Sequence, residues 1–164
     1  MYLTTSPDAS LSLLDAALVY AALGWHVFPL RVRGKTPLIG KPQGGSGFHD
    51  ATVDREQIEA WWGACPQANI GISTGPSGLI VIDLDGDEGE AAWRDVLGAI
   101  GKVTPTARVK TARGQHIYYK CPSGLVVPSS SGKGIDVRAE TGYVLAPPSV
   151  HPSGHVYEWI GDEA

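Results

Sequence analysis

Long apolar runs are missing from this sequence, and its N-terminus lacks the basic-then-apolar order of a secretion signal. No segment is therefore read as membrane-spanning, no membrane is expected among the partners, and the cytoplasm is the expected compartment. Cysteine is scarce: Cys65 and Cys121 stand far apart, and neither belongs to a C-x-x-C or Cys/His cluster. No zinc is expected, and both thiols are read as free and reduced. A positive net charge is lacking too, at −4, which argues mildly against a protein that holds nucleic acid over its whole surface. There is no Walker spacing, internal repeat, low-complexity segment or linker. What abounds is Gly (21) and Pro (12), a composition that predicts many turns and short strands rather than a helix bundle. At 164 residues the chain reads as a single domain, 1–164, large enough to bury a core.

Charge is unevenly spread. Between 102 and 138 seven lysines and arginines, Arg113 and Arg138 among them, face the single acid Asp136, and Arg31, Arg33, Lys35 and Lys41 form a second basic group. Such a surface on an acidic protein suits phosphates, although a solvated face has the same composition.

The most informative stretch is 78–86, G-L-I-V-I-D-L-D-G, an apolar run whose exit carries two carboxylates. Strand alternation puts Leu79, Val81, Asp83 and Asp85 on one face, the two acids roughly 7 Å apart at Cα. Like charges that close repel unless a cation lies between them, and a divalent metal such as Mg²⁺ is one such cation. Two solvated aspartates before a glycine turn are the other reading.

Around this strand, a first helix is expected from Ser6 as N-cap and Pro7, with Leu11, Leu14, Leu18 and Ala22 as its stripe and Gly24 as its stop. Residues 25–30 read as a strand with Pro29 at its end or on an edge. In the basic loop that follows, Lys35 is held extended before Thr36-Pro37 and so presented. Asp54 caps a second helix with Gln57 as partner and Ile58, Trp61 and Trp62 as its buried stripe. The strand 69–74 is expected to form a hairpin with the acidic strand, which would put Ser73 and Thr74 near its carboxylates. Asp87 is expected to cap a third helix bearing Trp93, Val96, Leu97 and Ile100, stopped at Gly101. Strands are expected at 107–111, 116–120, 134–139, 143–146 and 156–160.

Alternation sorts two of these strands further. His116, Tyr118 and Lys120 share a face, with His116 expected at a rim after its glycine turn; Asp136 and Arg138 share a face opposite Ile135 and Val137. Asp83, Asp85 and Asp136 would supply enough carboxylates for one or two Mg²⁺ or Mn²⁺, and His116, Arg138 and Lys35 suit triphosphate oxygens, provided the strands are neighbours.

The blocks G-W-H-V-F-P-L, G-K-T-P, P-Q-A-N-I-G-I-S-T-G, G-L-I-V-I-D-L-D, T-A-R-G-Q-H-I-Y-Y, G-I-D-V-R and G-Y-V-L-A-P-P-S-V-H-P-S-G followed by Y-E-W together resemble the bifunctional DNA primase/polymerase (prim-pol) N-terminal domain of the archaeo-eukaryotic primase superfamily. The resemblance implies an α+β fold, a mixed, mainly antiparallel sheet with packed helices around an RRM-like catalytic core. It implies template-dependent nucleotidyl transfer on single-stranded DNA with a primer and NTP or dNTP, in plasmid or phage replication, beside a fused or separate replicative helicase. Asp83, Asp85 and Asp136 match the metal-holding acids and His116 the triphosphate histidine; Lys35, Ser73, Arg113, Arg138, Ser149 and His151 fall in stretches that line the nucleotide pocket. The domain usually runs beyond residue 164 as part of a larger replication protein, so this chain is expected to extend primers better than it starts them. Two other readings are weighed: a haloacid-dehalogenase-like phosphatase, which also uses D-x-D-G at a strand end, and a non-catalytic replication initiator that only binds DNA.

Overall fold

A computed structural model describes residues 11–161 apart from Lys102. Helix α1 (Leu13–Ala22) begins where Ser12 accepts the Asp15 N–H; the expected Ser6-Pro7 start lies outside the described residues. Its buried residues are Ala16, Ala17 and Tyr20, with Leu14 and Leu18 only partly covered, because small residues let the helix approach closely and Tyr20 does most of the filling. Strand β1 (His26–Leu30) is followed by α2 (Arg55–Ala64), which is capped as expected by Asp54 accepting the Gln57 N–H at 2.8 Å. Ile58 and Trp62 are buried and Trp61 is partly exposed. Then come β2 (Asn69–Ser73), β3 (Leu79–Asp85), α3 (Gly86–Ile100), β4 (Arg108–Lys110), β5 (Gly114–Lys120), β6 (Ser130–Gly132), β7 (Ile135–Arg138), β8 (Tyr143–Ala146) and β9 (Glu158–Ile160).

The fold is α+β, with every strand pairing among the described residues antiparallel. The strands divide between two sheets, ordered β1-β2-β8 and β6-β7-β3-β5-β4-β9. Pro29 lies on an edge strand, where its missing N–H costs the ladder little. An all-antiparallel setting for the D-x-D strand is not the repeating parallel strand-helix unit that the phosphatase reading needs.

The expected hairpin of β2 with β3 does not form. β2 pairs with β1 and β8, and β3 pairs with β5 and β7. The turn at 75–78 carries the chain from one sheet to the other, and its backbone is crowded: a Cβ on Gly75 would lie 2.1 Å from the Glu140 carbonyl oxygen. Ser73 therefore sits beside the start of β3, while the acids leave from its far end, about 20 Å along the strand.

The main core lies where the small sheet, one face of the large sheet, α1 and α2 meet, filled by Tyr20, Phe28, Ile58, Trp62, Ile70, Ile72, Val81 and Tyr118. The other face of the large sheet carries a smaller cluster, Leu84, Trp93 and Ile117, under α3. That helix is capped at Asp85 rather than Asp87, and of its expected stripe Val96 and Ile100 are exposed, Ile100 to 62%. α3 lies over a single sheet face, so Leu97 packs on that cluster while Val96 and Ile100 point away from it. None of the described helices is long and apolar enough to cross a membrane. Both cysteines are free.

Candidate active site

Three residues singled out by strand alternation stand in one row across the large sheet. Asp83 on β3 is directly opposite His116 on β5 and directly opposite Asp136 on β7. Directly opposed residues of antiparallel strands point to the same side, so two carboxylates and an imidazole share a face. Asp85 follows two residues on, and Arg138, opposite Val81, joins the same face.

The corner where β3 ends is built by glycine. Gly86 takes φ +66°, which frees the chain to turn from strand into α3 directly after Asp85. Across the ladder Asp85 is opposite Gly114, where an added Cβ would lie 2.0 Å from the Leu84 carbonyl oxygen. Only a residue without a side chain lets β5 come so near the acidic strand here.

This face opens onto a cavity of about 220 Å³ whose walls include Lys35, Asp83, Asp85, Arg113, His116, Arg138 and His151. A larger hollow of about 790 Å³ beside α2 carries Asp50, Asp54 and Glu56 and no cationic side chain, so it does not suit an anion. In the first cavity opposite charges are already in contact. Arg113 donates to Asp85 at 2.5 Å and Arg138 to Asp136 at 2.6 Å.

Asp83 has no such guanidinium. Burial first, then the Asp136 carboxylate, push its carboxyl up to about 6; Asp85 adds to the rise, while Lys35 and Arg138 oppose it. His116 is only 4% exposed. It lies on the cavity floor rather than at the expected rim, because β5 runs as an interior strand between β3 and β4. Burial, and then Lys35 and Arg138, hold its imidazole down at about 3. It is therefore neutral at neutral pH, and the 3.5 Å approach of its Nε2 to Asp83 Oδ1 is not an ion pair.

His151 differs. Its Nδ1 accepts the Ser153 backbone N–H at 3.1 Å, which leaves the proton on Nε2 as a donor. Its ring stacks on Tyr157 at 6.3 Å, and Tyr157 meets His116 edge-on at 5.7 Å. Tyr157 thus backs both histidines, and its phenol is pushed up to about 12 by burial, with Asp83 and Asp85 adding to the rise.

Lys35, Arg113, His116, Arg138 and His151 are brought together with Asp83 and Asp85 around one cavity, and Asp136 stands beside Asp83. Ser73 and Ser149 are not. Both are buried, Ser149 completely, where its Oγ accepts the Ile70 N–H at 2.8 Å. Reasoning from the sequence missed Tyr143, Tyr157 and Asn69. The two tyrosines line the cavity, and nothing in their local pattern separates them from core aromatics.

Carboxylate oxygens are suitable ligands for a hard divalent cation, and such a cation would offset both the burial and the neighbouring Asp136 charge that raise Asp83, so the donor set fits Mg²⁺ or Mn²⁺ chemically. The convergence is incomplete: among the described residues no three His, Cys, Asp or Glu side chains gather closely enough to hold an ion. Asp85 and Asp136 are each turned to an arginine instead.

A family profile described as Bifunctional DNA primase/polymerase, N-terminal, matches residues 17–164. No curated protein matches the chain.

Proposed function

The chain belongs to the bifunctional DNA primase/polymerase N-terminal family, and from that premise we propose that it is a template-dependent nucleotidyltransferase. It would join the α-phosphate of a nucleoside triphosphate to a 3′-hydroxyl on a single-stranded DNA template, with pyrophosphate leaving. The observation that supports this most is the row Asp136, Asp83, His116 across three adjacent strands, next to a cavity rich in cationic side chains.

Asp83, Asp85 and Asp136 would hold Mg²⁺ or Mn²⁺, which when bound neutralises charge on the attacking and leaving oxygens of an in-line displacement. Lys35, Arg113 and Arg138 would take phosphate oxygens, which arginine does with two parallel N–H donors. In doing so the two arginines would release Asp85 and Asp136, so the ion pairs of the free protein and the contacts of the loaded one exchange partners. His116, neutral and buried, would donate one N–H to a phosphate oxygen without adding charge, and His151 would donate through its Nε2–H. Positioning and charge placement of this kind supply most of the rate in phosphoryl chemistry. Plasmid or phage replication, with a primer and a replicative helicase as partners, is the setting this reading proposes.

The test is primer extension on single-stranded DNA with separate NTP and dNTP pools and each divalent ion in turn. Template-dependent incorporation that is lost in Asp83→Ala and Asp136→Ala supports the reading. DNA binding without incorporation under every condition would replace it with the non-catalytic initiator.

A further inference from the structure

We infer that Asn69 is a positioning residue whose buried carboxamide fastens the loop carrying Lys35 to the loop carrying His151 and so sets the distance between two donor-bearing walls of the cavity. This rests on the proposed nucleotide site and goes beyond it.

Asn69 opens β2 and is only 1% exposed. Its Nδ2 donates to the Gly34 carbonyl oxygen at 2.9 Å and to the Val150 carbonyl oxygen at 2.7 Å, and its Oδ1 accepts the Val150 N–H at 2.9 Å. Gly34 directly precedes Lys35, and Val150 directly precedes His151. All three bonds go to these two loops. The next residue strengthens one side, since the Ile70 N–H donates to Ser149 Oγ.

Each loop is otherwise built from local bonds. The Lys35 loop is closed by Arg31 N–H to the Thr36 oxygen and Gly34 N–H to the Arg31 oxygen, the His151 loop by bonds between His151 and both Gly154 and His155. Local bonds fix a loop's shape, not its distance from another loop. The Asn69 amide supplies that link between segments more than a hundred residues apart, and the Tyr143 hydroxyl adds a second restraint by donating to the Lys35 carbonyl oxygen at 2.9 Å.

The side-chain type is dictated by the partners. Two carbonyls and one N–H require two donors and one acceptor in a plane, which only a primary amide offers. Aspartate has almost the same shape but presents oxygen to both carbonyls, leaving buried groups unpaired and like dipoles facing.

Asn69→Asp therefore separates shape from bonding. Three measurements read it: calorimetric titration with dATP and Mg²⁺, primer-extension kinetics, and amide hydrogen exchange. The dATP Kd and the KM are expected to rise about tenfold or more, as misplaced binding groups do, while kcat at saturating dATP stays within about threefold. Exchange is expected to quicken together at 34–36 and 150–152. Ser77→Ala is the control, because it removes two bonds beyond the opposite end of β2, His26 N–H to Ser77 Oγ and Ser77 Oγ to the Ser73 oxygen, and it is expected to lower stability without moving KM. If Asn69→Asp does not fold, Asn69→Ser, which leaves room for a water, is read by the same criteria.

A dATP Kd within twofold of wild type, an equal KM rise in Ser77→Ala, or exchange that quickens evenly over both sheets overturns the inference. If wild type binds no dATP, the nucleotide reading fails instead, and the paired exchange at the two loops still decides whether Asn69 fastens them.

Discussion

Asp136 lies directly across the ladder from Asp83, and the Arg138 guanidinium beside them is engaged with Asp136. Burial first, and then the facing Asp136 carboxylate, hold the Asp83 carboxyl at about 6, above its ordinary 3.8. An acid raised in the folded state contributes stability that is complete below its ordinary value and is lost as pH rises through about 6. At pH 7.5 an ionised Asp83 thus opposes folding.

Asp83→Asn should accordingly melt higher than wild type at pH 7.5 in the absence of divalent ions, by roughly 4–8 °C for about 2 kcal/mol, and the gap should close towards pH 4. Incorporation should be lost in the same variant. Adding Mn²⁺ should raise the wild-type melting temperature and leave that of Asp83→Asn nearly unmoved. Thermal melts at the two pH values, with and without Mn²⁺, check the first and third statements and primer extension the second, and a variant that melts lower than wild type at pH 7.5 contradicts the first.

His116 predicts the opposite pH dependence. Its imidazole is held at about 3, below the ordinary 6.5, so the neutral ring contributes stability that is present above 6.5 and lost as pH falls towards 3. Asp83 acts in the opposite sense over the same range, so the comparison isolates the histidine: in urea titrations wild type should lose stability relative to His116→Gln as pH falls from 7 to 4.5. The rate of incorporation should show no imidazole titration between pH 6 and pH 8.

Arg138 is bound to one carboxylate and lowers the pKa of another. Removing it frees Asp136 and deepens the negative field, but takes a donor from the phosphates. Arg138→Ala should tighten Mn²⁺ binding without nucleotide by about threefold while weakening dATP binding by about tenfold. Two separate titrations measure this, and shifts of the same sign in both would contradict the partner exchange proposed for the arginines.

Gly114 tests the corner at Asp85. A Cβ there meets the Leu84 carbonyl oxygen at 2.0 Å, so Gly114→Ala must force β5 away from β3. The expected cost is about 1–3 kcal/mol, seen as a melting temperature lower by roughly 2–10 °C, with incorporation falling further than stability at a temperature where the variant is folded.

Much of the site could be read locally. Period-two alternation placed Asp83 with Asp85, His116 with Tyr118, and Asp136 with Arg138, and the ladder keeps each pair together. The Asp54 cap of α2 and the stops at Gly24 and Gly101 follow from equally local chemistry. The chosen polar residue of β2 did not. Ser73 is favoured by the expected hairpin and by the family resemblance, yet because β2 pairs with β1 and β8 instead it is the start of β2, Asn69, that meets the loops at the cavity. The burial of His116 was equally invisible, since a histidine after a glycine turn looks like a rim residue until β3 and β4 close on either side of it.

The amino-acid order by itself determined which side chains share a strand face, where two of the three helices stop, and the set of motifs that marks the family. These depend on backbone dihedrals, on capping groups within a few residues and on residue identity. Only the tertiary structure decided that β3 lies between β5 and β7, that β2 belongs to another sheet, and that one amide spans two distant loops. Pairing partners and burial are set by which distant surfaces exclude water together, a property that no short stretch of the chain contains.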